Sequence, residues 1–114
     1  MESNFGVEVR DGEQGIVIGV SGELDLASSP ELERELERTT ASGAELLIID
    51  LRKLEFMDST GLSVLVRAHQ KATQSGKRLA IVKGPQQVQR LLSLTGVAER
   101  LTVVDAPEDL LGEV

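Results

Sequence analysis

Leu46-Leu47-Ile48-Ile49-Asp50-Leu51, followed shortly by Phe56-Met57-Asp58-Ser59-Thr60-Gly61-Leu62, decides how this chain folds. The first run is continuously apolar rather than alternating. It reads as a strand buried on both faces, at the centre of a sheet covered by helices. The second opens an amphipathic helix, Thr60–Gln74, whose positions Leu62, Leu65, Val66 and His69 fall at i, i+3, i+4 and i+7. That helix ends near Ser75-Gly76. A buried strand leading directly into a helix is the repeating step of an α/β fold.

Working outward toward the N-terminus, Phe5, Val7 and Val9 alternate with Gly6, Glu8 and Arg10 as a half-buried strand does. Asp11-Gly12-Glu13-Gln14-Gly15 is a turn, and Ile16–Val20 is the hairpin partner. Gly22-Glu23-Leu24-Asp25-Leu26 reads as a loop into a helix. Ser28 and Ser29 offer caps for it, Pro30 suits its first turn, and Glu31 completes a possible capping box. Leu32 and Leu36 form its buried stripe, Glu31, Glu33, Glu35 and Glu37 its acidic, solvated face, and Ser42-Gly43 its end. Arg34 and Arg38 balance part of that charge.

Toward the C-terminus, Arg78–Val82 is a further buried strand closed by Gly84-Pro85. Val88, Leu91, Leu92 and Thr95 mark a helix ending at Gly96. Leu101–Val104 is a short strand, and a last helix starts around Pro107 and runs out at Val114. The order is β-β-α-β-α-β-α-β-α: one α/β domain over residues 1–114, with a mixed, mostly parallel sheet of about five strands and about four helices.

Composition narrows the function. The chain has 114 residues, 40% of them apolar, and a formal net charge of -7. Nucleic-acid binding needs a basic face, and single strands need aromatic platforms. This chain has two aromatic residues, Phe5 and Phe56, so neither mode is expected. Its acidity fits a partner with a basic patch. The absence of cysteine excludes disulfides, thiolate chemistry and cysteine metal sites. Met1-Glu2-Ser3-Asn4 has no basic, apolar leader pattern, and no apolar run is long enough to span a bilayer. A cytoplasmic protein with no membrane association is expected.

Ser59 carries the functional interest. A hydroxyl where a helix begins lies beside unpaired backbone N–H groups and the positive end of the helix dipole, which tolerate a phosphate. Ser59 or Asp58 also reads as an ordinary N-cap, and the two readings are compatible. Thr60 is a second hydroxyl, ranked below Ser59. Asp25 reads as a turn residue, as an N-cap for a shifted helix start, or as a partner contact. His69 lies on the apolar stripe without nearby Ser, Cys or ligand partners, and reads as a packed core histidine. No metal or cofactor site is expected.

Taken together, the chain resembles a STAS-domain protein of the anti-sigma factor antagonist type. The resemblance covers essentially the whole length. It rests on Gly22-Glu23-Leu24-Asp25, Ile49-Asp50-Leu51, Phe56 to Leu62, Gly76-Lys77-Arg78-Leu79 and Leu94-Thr95-Gly96-Val97. It implies that Ser59 is phosphorylated by an anti-sigma factor that is also a serine kinase, with ATP and magnesium held by the kinase. The unmodified form would bind that kinase and release a sigma factor; a serine phosphatase would reset the modified form. It further implies that the segment with Glu23 and Asp25 lies beside Ser59. The implied partner-binding set is Gly22, Glu23, Asp25, Asp58, Ser59, Thr60 and Gly61. The last helix, short after Pro107, departs from the pattern and puts its docking in question.

Three rivals stand against this. A STAS scaffold that is never phosphorylated would share every motif. A phospho-aspartate receiver would use Asp50, but Asp11-Gly12-Glu13 leads into a strand rather than the helix a receiver needs. That fold's late Lys is also missing: Val104 is followed by Asp105. A hydrolase lacks its parts, with one His, no Cys and no nucleophile elbow.

Overall fold

The structure, a computed structural model, describes residues 4–12 and 14–111. The leader reading on residues 1–3, Glu13 of the first turn and the helix end at 112–114 lie outside the described residues. The elements are β1 (Gly6–Asp11), β2 (Ile16–Leu24), α1 (Ser29–Ala41), β3 (Leu46–Met57), α2 (Ser59–Gln74), β4 (Arg78–Val82), α3 (Gln86–Leu94), β5 (Thr102–Val104) and α4 (Glu108–Leu111). This is the element order read from the sequence. A 3-10 turn, Val97–Arg100, was not anticipated.

The five strands lie in chain order, β1-β2-β3-β4-β5. β1 and β2 are antiparallel, and every later pair is parallel. From β2 onward each crossover steps the same way, and crossovers are right-handed. The connecting helices must therefore gather on one face of the sheet. They do: Leu32 and Leu36 of α1, Leu62, Val64 and Leu65 of α2, and Val88 and Leu92 of α3 share one core with Ile18, Val20, Leu47, Ile49 and Leu51.

That geometry corrects the expectation of a sheet covered on both sides. On the second face only Val17, Leu46, Ile48 and Val82 form a small apolar cluster, packed by Val104 and by Leu110 of α4. The short last helix docks here. The rest of that face carries Glu8, Arg10, Ser21, Asp50, Arg52 and Lys53 around an open depression of about 370 Å³.

Several local readings also move. β2 runs through Gly22-Glu23-Leu24, read as loop, and β3 runs through Phe56-Met57. The β2–β3 register shifts between Gly19 and Ser21 and again between Gly22 and Glu23. Such irregularities break the alternation by which a strand is read. Val9 is exposed although its strand pattern pointed it inward. The stripe of α2 is Gly61, Leu62, Val64, Leu65 and Ala72, so Val66 and His69 are only half-buried. His69 is not a core histidine; it borders a surface cavity with Thr73, Lys77 and Arg78. The acidic face of α1 is not merely solvated either. Glu33 pairs with Arg67 at 3.3 Å and Glu37 with Lys71 at 3.9 Å, both across to α2.

Candidate functional site

The parallel strands all end at one rim of the sheet, where open α/β sheets place their ligands. Leu24 stands opposite Met57 and Glu23 opposite Phe56. The Asp58 N–H donates to the Leu24 carbonyl at 3.2 Å. The end of β2 and the start of α2 are thus fastened together, and the segment carrying Glu23 and Asp25 lies beside Asp58 and Ser59.

Asp58 is the N-cap of α2. Its backbone is extended, and its Oδ1 accepts from the N–H of Thr60 at 2.9 Å and of Gly61 at 3.3 Å. The cap reading therefore falls to Asp58 alone. Ser59 is the first helical residue and is exposed; among the described residues its hydroxyl makes no hydrogen bond. Thr60 is half-buried. Gly61 is buried, and a Cβ there would stand 2.7 Å from Met57 Cγ and 2.9 Å from Leu24 Cδ2. Only glycine lets the first turn of α2 settle on those two core side chains.

Gly22 is the second glycine that the site requires. It has φ +80°, and an added Cβ would stand 2.1 Å from the Asn4 carbonyl oxygen. Both the backbone conformation and the close approach exclude a side chain. Gly22 and Gly61 are buried, and their close approaches shape this rim.

The turn after β2 is held by Asp25 and Ser28. Asp25 Oδ1 accepts from the N–H of Ala27 and the N–H of Ser28, each at 3.1 Å, and lies 3.1 Å from the Ser28 hydroxyl oxygen. The Ser28 hydroxyl lies 2.8 Å from the Glu23 carbonyl, to which it donates, and accepts from the Asp25 N–H at 2.9 Å. The expected capping box does not form, because Ser28 has helical backbone angles and makes no side-chain cap bond. Its hydroxyl latches the turn instead. Asp25 is thus a turn residue, half-exposed, with its Oδ1 engaged within its own turn. The signal was present as Asp25 and Ser28 three apart, a spacing that suits an Asx-type turn.

Asp50 lies elsewhere, on the second face of the sheet. It is buried, and Arg52 grips it through Nε at 3.0 Å and the terminal nitrogen at 2.7 Å. Burial works against ionisation of Asp50, but the hydrogen bonds and charge of Arg52, with help from Arg10, outweigh it. Its carboxyl is held below the ordinary value of 3.8. The hydrogen bond to Asp50 in turn raises the Arg52 guanidinium. A carboxylate clamped by arginine is a poor phosphoryl acceptor, which further weakens the receiver reading.

Among the described residues no group of three or more His, Asp or Glu could hold a metal ion. No described helix is long and apolar enough to cross a membrane. Two features of this rim were not singled out from sequence: Leu26 and Phe56 are large, apolar and exposed. Leu26 carried a faint signal, being a leucine outside any apolar stripe.

A family profile described as STAS domain matches residues 5–110. The chain is 31% identical over 100 residues to the anti-sigma-B factor antagonist of Bacillus subtilis (strain 168), covering 88% of this chain and 91% of that one. It is 30% identical over 105 residues to the anti-sigma-B factor antagonist of Staphylococcus aureus (strain NCTC 8325 / PS 47), covering 92% and 97%. The crystal structure of an anti-sigma factor antagonist from Mycobacterium paratuberculosis superposes with a TM-score of 0.88 at 28% identity, covering 97% of this chain and 94% of that one. The chain belongs to the STAS-domain family of anti-sigma factor antagonists.

Proposed function

We propose that this protein binds an anti-sigma factor that is also a serine kinase, thereby freeing a sigma factor, and that phosphorylation of Ser59 switches the binding off. A serine phosphatase restores it. ATP and magnesium belong to the kinase, and the chain performs no catalysis of its own. The setting is the cytoplasm, where sigma factors act. The observation that carries the reading is the division of labour at the start of α2: Asp58 does the capping, which leaves the Ser59 hydroxyl exposed and, among the described residues, without a partner. Glu23 and Thr60 flank it as partner contacts, while Asp25, Gly22 and Gly61 hold the surface in shape.

Magnitudes favour a local switch over a refolding one. A phosphate adds about -1.5 to -2 charges. A helix N-terminus favours such a charge by about 0.3–1 kcal/mol, partly offset by repulsion from Asp58. Stability therefore changes little. In a desolvated interface an unpaired charge costs about 2–5 kcal/mol, a loss of affinity of roughly 30-fold to several thousand-fold. Exclusion from the interface dominates.

Intact-mass analysis after incubation with a candidate anti-sigma kinase and ATP, on wild type and Ser59→Ala, tests the assignment. One added phosphate in wild type and none in the variant is the expected result. No added mass with the true cognate kinase would leave a constitutive STAS scaffold.

A further inference from the structure

Among the described residues the large apolar side chains left exposed are Val9, Leu26, Phe56 and Leu94. Single exposures of this kind are ordinary on a protein surface. Leu26 and Phe56, however, both sit at the rim that carries Ser59, on the two segments joined by the β2–β3 ladder and the Asp58–Leu24 bond. Leu26, 75% exposed, follows Leu24, whose carbonyl takes the Asp58 N–H. Phe56, 47% exposed, stands opposite Glu23 on β3, just before Met57 and Asp58.

Neither exposure comes from a loose segment. The turn bearing Leu26 is fixed by the Asp25 carboxylate and the Ser28 hydroxyl. Phe56 is paired within the sheet, and the Glu55 carbonyl beside it accepts from the Gln87 side chain at 3.0 Å. Apolar side chains carried on a fixed backbone cost no loop ordering on binding, which suits an interface anchor. The charges on the two short segments that carry them share one sign. Residues 22–28 and 54–63 contain Glu23, Asp25, Glu55 and Asp58, and no Lys or Arg.

We propose that Leu26 and Phe56 are the apolar anchors of this face, seating in an apolar pocket of the anti-sigma factor rimmed by basic side chains. The inference rests on the Ser59 reading and deepens it. Carboxylates at the edge of such a pocket keep some water and meet the basic rim. A phosphate on Ser59 shares the rim with the anchors, where seating them would strip its water. The switch then works by denying the anchors a dry seat.

The test is calorimetric binding to the anti-sigma kinase that phosphorylates Ser59, using wild type, Leu26→Ser, Phe56→Ser and, remote on α3, Leu94→Ser. Leu26→Ser and Phe56→Ser should each weaken binding by about 30-fold or more, and Leu94→Ser should leave it unchanged. Leu26→Met should restore most of the affinity. Leu26→Ser lies on a surface turn and should melt as wild type does, which keeps the test sound if Phe56→Ser folds poorly. Combining Leu26→Ser with Ser59→Asp should cost less than the product of the two losses, because both remove the same seat. Wild-type affinity in Leu26→Ser, with Ser59→Asp still inactive, would overturn the anchors and leave the switch standing. An equal loss in Leu94→Ser would also overturn them. Failure of wild type to bind at all would bring down both readings.

Discussion

Asp50 and Asp58 lie near one another in sequence, and the fold gives them opposite uses. Asp50 points to the second face of the sheet, is buried, and is gripped by Arg52. Asp58 sits at the rim, half-exposed, and spends its carboxylate on two backbone N–H groups of α2. The first carboxylate is neutralised and inert. The second frees its neighbour: with the cap provided by Asp58, the Ser59 hydroxyl makes no hydrogen bond among the described residues. On the proposed reading, Ser59 is available for function because Asp58 takes over the structural duty of the cap.

That contrast is open to attack in order of expected effect. Ser59→Asp should weaken binding to the anti-sigma factor by roughly 30-fold to several thousand-fold, with almost no change in melting temperature. Titration calorimetry beside a thermal melt reads both. Normal binding by Ser59→Asp would remove the distinction between a structural and a functional carboxylate neighbourhood.

Gly22→Ala probes the frame under both. A side chain at φ +80° meeting the Asn4 carbonyl at 2.1 Å should cost about 2 kcal/mol or more in stability. Chemical denaturation measures it. A variant as stable as wild type would mean that the rim does not depend on this close approach.

The two aspartates themselves come next, with similar effects on stability and different signatures. Asp58→Ala should cost about 1 kcal/mol by removing the cap and should also impair binding, since the start of α2 frays. Asp50→Asn should cost about 1 kcal/mol at neutral pH, because Arg52 is half-exposed and solvent screens the pair. It should leave binding intact.

The pH dependence of Asp50→Asn has a definite sign. The folded carboxyl of Asp50 titrates below its ordinary 3.8, so the unfolded chain takes up the proton first. The stabilisation is fully present above that ordinary value and is lost as pH falls through the folded one. The gap in melting temperature between wild type and Asp50→Asn should therefore shrink as the solution is acidified below 3.8. A gap that widened there would contradict the ion-pair account.

Much of this was legible in the sequence because the central elements are regular. Leu46–Leu51 reads as a buried strand and is one, and Arg78–Val82 carries its strand bounds on the surface of its composition. The rim was harder. The β2–β3 ladder is irregular where the strands approach Ser59, so Gly22-Glu23-Leu24 looked like loop while remaining paired. Ser28 looked like a cap because capping and turn-latching use the same hydroxyl chemistry, and only tertiary position separates them. The open second face followed from crossover handedness combined with sequential strand order, and strand order is not visible in a pattern of apolar residues. Asp58 and Ser59 could each have been the cap. Local sequence offers both, and the extended backbone at Asp58 decides it.

The central claim is that modifying Ser59 closes the interface without disturbing the fold. The direct measurement is binding of the stoichiometrically phosphorylated chain to its anti-sigma kinase, with wild type and Ser59→Ala in parallel and a thermal melt of each. Phosphorylation is expected to weaken binding by roughly 30-fold or more while the melting temperature stays near that of wild type. A phosphorylated chain that bound as tightly as wild type, or one that lost binding only because it unfolded, would contradict it.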